Sequence, residues 1–334
     1  MSNTPSTPMG GDLIRFSDVH KRFGPKIIFS GLNLNIRRGE TITVMGASGI
    51  GKSVMLKMLI GLITPDHGSI LFDGGDVTKM KDEELGMLRR RIAYLFQGAA
   101  LFDSLSVGEN VAYGLREQFW NKMKEQDIKD RVATSLELVG LPGIEPMRPS
   151  DLSGGMRKRV GLARTLALQP EVILYDEPTT GLDPVNTARI NHLINGIQRA
   201  LKLTSIVVTH DMGTAFHVSN RLAMIGRGKL LLVGTKEDFK NTKNKYVRDL
   251  HLCVRKFLVP AYERTLLDQR EVQTLFTNIE MVAMHGLAHH SDTLDSFFEE
   301  SGFAALVWPG IHDAVDCRGY MVEREEKSRG AGFG

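Results

Sequence analysis

Cysteine is nearly absent. The 334 residues contain two, Cys253 and Cys317, and neither belongs to a CxxC pair or a Cys/His cluster. That excludes a disulfide framework and a zinc site of the usual spacing, and two isolated thiols fit a reducing compartment. Long apolar runs are missing too. Apolar stretches such as residues 171–175 and 205–208 have the length of strands and fall far short of the ~18–20 residues that a membrane-spanning helix requires. The first twelve residues are polar, without the basic and apolar regions of a signal peptide or the arginines of a transit peptide. Charge of one sign is also lacking. Lys and Arg number 42 against 39 Asp and Glu, a net +3, too small a field to indicate a nucleic-acid partner. These absences predict a cytoplasmic protein with a short disordered start over residues 1–11. For work at a membrane it must dock on another protein. The hydrophobic share of 42% is ordinary for a chain that buries a core, and the length suits one large domain or two ordinary ones.

What is present is a regular alternation. Residues 13–19 read as a strand, turning at Phe23-Gly24-Pro25 into strand pattern over 27–36. Residues 41–45, Thr-Ile-Thr-Val-Met, predict a buried strand that runs into a glycine-rich loop, and 52–62 has helical spacing that ends before Pro65. A short strand over 69–72, a charged helix over 82–91 and a strand over 92–96 follow. Residues 105–139 read as mostly helical, interrupted around Trp120-Asn121. A glycine-opened helix over 153–168, strands over 172–175 and 205–209, helices over 186–201 and 212–220, and a hairpin over 221–233 complete the pattern. Strands alternating with helices imply an α/β fold around a mostly parallel sheet. From Thr235 the strand pattern stops. Residues 246–258, 269–286 and 291–298 read as helices, and 323–334, charged and then glycine-rich, as disordered.

The strongest chemical signal is Gly46-Ala47-Ser48-Gly49-Ile50-Gly51-Lys52-Ser53, followed by Val54. It matches G-x-x-x-x-G-K-[ST] between a predicted strand and a predicted helix, the context that gives the pattern meaning. Chance yields such a match on the order of once per hundred chains of this size, from average Gly, Lys and Ser/Thr usage. The glycines let backbone N–H groups turn inward around phosphates, and the helix N-terminus adds its positive dipole end. Lys52 is placed to neutralise β/γ-phosphate oxygens and the Ser53 hydroxyl to ligate Mg²⁺. The apolar strand 172–175 ends in Asp176-Glu177. Alone this is often a solvated strand end, but downstream of a phosphate loop it is the expected partner. Asp176 then holds Mg²⁺, and Glu177 polarises the attacking water. Between the two lies Leu152-Ser153-Gly154-Gly155-Met156, a helix start of the kind that binds anions and, more commonly, a plain capped helix.

In order and spacing these segments resemble the ATPases of ABC transporters, whose signature is usually Leu-Ser-Gly-Gly-Gln; here Met156 replaces the glutamine. The resemblance covers about two-thirds of the chain. It implies an ABC-type P-loop NTPase over residues 12–238: an α/β parallel core sheet, an antiparallel β-subdomain and a helical signature subdomain at about 98–160. Phe23 stands where the family stacks an aromatic on adenine. Gln97 resembles the Q-loop glutamine, which touches Mg²⁺ or water and reports to the membrane subunit. Gly181-Leu182-Asp183 resembles the D-loop, which contacts the opposite monomer, and His210 the switch histidine at the γ-phosphate. ATP and Mg²⁺ are the implied cofactors. The family buries two ATPs between two head-to-tail subunits, so Ser153, Gly154 and Gly155 would face the nucleotide of a second copy.

Phe96-Gln97-Gly98-Ala99-Ala100-Leu101-Phe102-Asp103-Ser104-Leu105-Ser106-Val107-Gly108-Glu109-Asn110-Val111, the Leu-Ser-Gly-Gly-Met signature, the Gly-Ala-Ser-Gly-Ile-Gly-Lys-Ser loop and the run from Leu174 to Pro184 are similar to the Mla and Mce lipid-transport ATPases. That resemblance implies lipid movement through a separate transmembrane permease, with this subunit peripheral on the cytoplasmic face of the inner membrane. Residues 99–109 would line the groove that receives a helix of the permease. An ordinary ABC importer is the alternative. An ABC protein of ribosomes or DNA repair usually carries two cassettes or a coiled-coil insertion, and this chain has neither. Mla-type ATPases end soon after residue 239, whereas about 95 residues follow here. Residues 245–250, 257–260 and 275–280 are faintly similar to helices of a Dbl-homology exchange domain. The segment is about half the length of one, and Lys243-Asn244-Lys245 stands where an acidic residue normally precedes. A bland helical extension over 239–322 is the preferred reading, with Met281, Met284 and Phe297 as its core.

Overall fold

The computed structural model describes residues 11–118, 122–244 and Val247. Strands β1 (Asp12–Phe23) and β2 (Lys26–Arg37) form a long antiparallel hairpin around the Gly24-Pro25 turn. Leu13, Ile14, Phe16 and Val19 of β1 are buried, and register shifts in the pairing after Phe16 bring Val19 to the core out of strict alternation. Strand β3 (Thr41–Met45) is buried at all five positions, the mark of a strand covered on both faces. It feeds the glycine-rich loop and helix α1 (Lys52–Leu59). Strand β4 (His67–Phe72) and the two-residue strand β5 (Gly75–Asp76) return to the hairpin, giving a four-stranded antiparallel sheet in the order β2-β1-β4-β5.

Helix α2 (Asp82–Arg91) opens with three acidic residues and closes with three arginines, matching the helix dipole at both ends. Strand β6 (Ile92–Leu95), helices α3 (Val107–Gln118), α4 (Glu125–Leu138) and α5 (Gly154–Ala167), strand β7 (Val172–Asp176) and helix α6 (Pro184–Leu201) follow. Then come β8 (Thr204–Thr209), α7 (Met212–Val218), β9 (Arg221–Gly226), β10 (Lys229–Gly234) and the short α8 (Lys236–Lys240). The second sheet has the order β10-β9-β3-β8-β7-β6. All its neighbours pair in parallel except β9 with β10.

The expected alternation is present with shifted ends. The helix expected over 52–62 stops at Leu59, and the mostly helical stretch 105–139 is two helices. Helix α5 runs past residue 160, and its apolar face joins α3, α4 and the core strands in one cluster that includes Leu95, Val111, Leu136, Val160 and Tyr175. The helical segment and the sheet therefore share a core. Phe239 and Val247, beyond the 238 boundary expected from sequence, are buried against Met45, Met212 and Met224. The remaining readings of 1–10 and of the stretch after 247 lie outside the described residues. Among the described residues no helix is long and apolar enough to cross a membrane.

Candidate functional site

The strand order creates the site. β3, β7 and β8 are distant in sequence, yet β8 lies between β3 and β7, with Met45 opposite Thr209 and Asp176 opposite Val208. The segments leaving their carboxyl ends therefore emerge side by side, the usual place for ligands in such sheets. The loop 46–51 leaves β3, Glu177 leaves β7 and His210 leaves β8. β6 is next to β7, so Gln97 arrives at the same edge. Phe23, Ser48, Gly49, Gly51, Lys52, Ser53, Val54, Gln97, Glu177 and His210 together line a cleft of about 350 Å³.

The loop conformation depends on its glycines. Gly51 has a φ of 112°, and a Cβ there would lie 2.3 Å from the Ile28 side chain. A larger residue would be strained at this φ and would have to displace the Ile28 side chain. Lys52, 5 % exposed, donates from Nζ to the carbonyls of Gly46 at 2.7 Å and Ala47 at 3.2 Å. Its ammonium also lies 3.3 Å from Glu177 Oε1. Ser53 Oγ donates to Asp176 Oδ1 at 2.8 Å, and Tyr94 OH donates to Oδ2 at 2.7 Å. A hydroxyl and a carboxylate this close are the all-oxygen pair that Mg²⁺ takes when phosphates supply its other ligands. Among the described residues no cluster of three or more His, Cys, Asp or Glu suits a metal held by protein alone. The donor set thus fits a metal that arrives with a phosphate.

Glu177 occupies the left-handed region, φ 49°, uncommon for a non-glycine residue and typical of functional sites. Its Oε2 is 2.9 Å from His210 Nδ1 and accepts from Thr209 Oγ1 at 3.2 Å and Thr180 Oγ1 at 3.1 Å. Burial pushes the carboxyl up most strongly. The His210 hydrogen bond and the Lys52 charge together outweigh it and hold the group down to about 2. Glu177 is therefore ionised, buried and aimed into the cleft beside the cation that the loop supplies.

The remaining candidates fall elsewhere. Ser153 caps α5, its Oγ accepting from the Met156 amide at 3.2 Å, and Asp183 caps α6, accepting from the Asn186 amide at 2.9 Å. Neither lines the cleft, and neither do Gly154 and Gly155. Met156, standing for the usual glutamine, packs against the α3–α5 core. Phe23 is at the cleft rim, 47 % exposed, with Lys21 Nζ 5.2 Å from its ring centre. Sequence reasoning missed several contacts. Lys26 and Ile28 line the cleft; their place directly after Phe23 was the available signal. Tyr94 and Lys158, which donates to the Glu177 carbonyl at 3.0 Å, had no local signal. Burial draws the Lys158 ammonium down to about 8, against the pull of Glu177 and Asp176.

Comparison with known proteins agrees with this geometry. The family model for ABC transporter matches residues 29–180. The probable ribonucleotide transport ATP-binding protein mkl of Mycobacterium leprae is 43% identical over 241 residues, 72% of this chain and 69% of that protein. The intermembrane phospholipid transport system ATP-binding protein MlaF of Haemophilus influenzae is 39% identical, covering 71% of this chain and 89% of its own, and that of Escherichia coli 37%, covering 71% and 87%. The solved dimeric, post-hydrolysis ATP-binding cassette MJ0796 with ADP and phosphate has 31% identity and a TM-score of 0.61, covering 66% of this chain and 98% of that one. Relatives this similar, each matched over more than two thirds of its length, show that the chain belongs to the ABC transporter family and is an ATP-hydrolysing subunit of it.

Proposed function

We propose that this subunit powers the movement of phospholipid through a separate permease, and that its residues divide the work as follows. The backbone amides of 46–51 and Lys52 hold the β- and γ-phosphates, with Val54 beside them in the first turn of α1. Phe23 stacks on the adenine. Ser53 and Asp176, with Gln97, would hold Mg²⁺, which would offset the phosphate charge. Glu177, ionised and buried, orients the attacking water and accepts its proton. His210, bonded to Glu177, keeps that carboxylate in place and faces the γ-phosphate. Ser153–Gly155 and Asp183 lie outside the cleft, which supports a head-to-tail dimer in which they complete the partner's site. MJ0796, a cassette of the same fold, is described as dimeric. The subunit works peripherally on the cytoplasmic side of the membrane, docked on its permease.

The observation that carries the cargo reading is the likeness to two MlaF proteins over 87–89% of their length. A second reading follows from the mkl relatives, described as probable ribonucleotide transport proteins. Reconstitution of the chain with its permease in vesicles decides between them. ATP-dependent transfer of labelled phospholipid, lost on Lys52→Ala, is expected. ATP-dependent ribonucleotide uptake without lipid transfer would favour the second reading.

A further inference from the structure

Lys158 lies in the second turn of α5 and is 6 % exposed. Lysines are almost never this buried unless they are paired. The pairing here is with backbone: Nζ donates to the carbonyl of Glu177 at 3.0 Å. That carbonyl belongs to a residue in left-handed backbone, which persists only where its surroundings fix it. The same helix makes a second grip one turn earlier. A Cβ on Gly155 would lie 2.8 Å from Asn186 Oδ1, so the glycine lets α5 back directly onto Asn186. Asn186 in turn is bonded to Asp183 at 2.9 and 2.5 Å. One rigid helix thus holds both ends of the turn between Glu177 and Asn186, and its own first residue follows the Ser153 cap.

We propose that Lys158 is a positioning residue that couples the two half-sites carried by one chain. Displacement of the Ser153 segment, on which the partner's nucleotide would bind, passes along α5 and through the Lys158–Glu177 bond to the carboxylate serving the chain's own nucleotide. The proposal rests on the head-to-tail reading above. Its consequence is positive cooperativity, because nucleotide at either site orients the base at the other.

The test uses the full chain. Lys158→Met removes the donor at similar length, and Lys158→Arg keeps a donor and a charge. The quantities read are the ATP dependence of phosphate release, the affinity for a methylanthraniloyl-ATP probe and, in the Glu177→Gln background, ATP-induced dimerisation by sedimentation. For K158M, unchanged probe affinity and an intact dimer are expected. Turnover should fall about tenfold, the loss of one charge-assisted hydrogen bond. The Hill coefficient should drop from near two towards one, with K158R recovering most of both. Parental turnover and Hill coefficient in K158M overturn the proposal. So does an equal loss in K158R, which would make the role steric, or a Hill coefficient of one in the parent. If K158M lacks a cooperative melting transition, Lys158→Gln is read on the same quantities: parental values overturn the idea, and a lost Hill coefficient at retained probe affinity supports it. A parent E177Q chain that stays monomeric with ATP removes the head-to-tail reading and this proposal with it. A dimeric one with an unaffected K158M removes the proposal alone.

Discussion

Glu177 shows how much of the site depends on single atoms. It stands in left-handed backbone, is held at one oxygen by Lys52 and at the other by His210, Thr209 and Thr180, and is ionised although buried. Glu177→Gln keeps the shape and removes the charge. Turnover should fall at least ~100-fold, in the range seen when a general base is lost, while ATP is still bound. Phosphate release near the parent rate would show that another group is the base. The same carboxyl carries a pH signature. Its folded value lies near 2, below the ordinary 4.5, so its stabilisation is complete above about pH 5 and is lost as pH falls towards 2. The melting-temperature gap between the parent and E177Q should therefore narrow steadily over that window; a gap independent of pH would contradict the assignment. Tyr94 acts one bond further out. Its hydroxyl donates to Asp176 Oδ2, and Phe96, next to Gln97, stacks on its ring at 4.3 Å. Under the proposed Mg²⁺ role of Asp176, Tyr94→Phe keeps the stack and should raise the Mg²⁺ concentration for half-maximal nucleotide binding about tenfold, the usual effect of losing a partner of a metal ligand.

At the scale of elements, the segment after Gln97 is held by one side chain. Asn110, fully buried in α3, accepts from the Phe102 amide and donates to the carbonyls of Phe102, Leu105 and Ser106. It fixes residues 102–106 without regular structure and leaves Phe102 and Tyr113 exposed in a tilted pair at 4.8 Å. Asn110→Ala orphans several buried polar groups and should cost about 1–3 kcal/mol. Calorimetry should then show a fall of several degrees, while a melting temperature within one degree of the parent would mean that water replaces the amide. The sequence revealed α3 from its spacing but not this function of Asn110, because hydrogen bonding to a neighbouring loop leaves no periodic trace. The α5 N-terminus was read as an anion-binding start. The structure shows the capping half of that reading, with Ser153 Oγ accepting from the Met156 amide; the anion-binding half belongs to the proposed dimer.

At the scale of the molecule, the two sheets are tied by a ring of four charges. Arg38 contacts Glu171 and Asp73, and Arg91 contacts Asp73 and Glu171 at 2.6 Å each. All four side chains are 28–44 % exposed, so solvent screening keeps each pair weak, below about 1 kcal/mol. Glu171→Gln removes the charge from two of these pairs and should lower stability by no more than about 2 kcal/mol in urea titration, a difference that should vanish in molar salt. A larger, salt-independent loss would mean that the ring is more than a surface tie. The phosphate loop, the Asp176-Glu177 strand end and the signature segment were legible in the sequence because each is contiguous and its chemistry needs fixed residue types at fixed spacing. So were the α/β class and the strands themselves, since burial on both faces imposes apolar runs such as 172–175. The meeting of Lys52, Asp176, Glu177, His210 and Gln97 at one sheet edge came from the spatial order β3-β8-β7-β6. So did the grips of Tyr94 on Asp176 and of Lys158 on Glu177, which join residues 82 and 19 positions apart. Local chemistry is written residue by residue along the chain, whereas a contact across a crossover exists only once the sheet has chosen its neighbours.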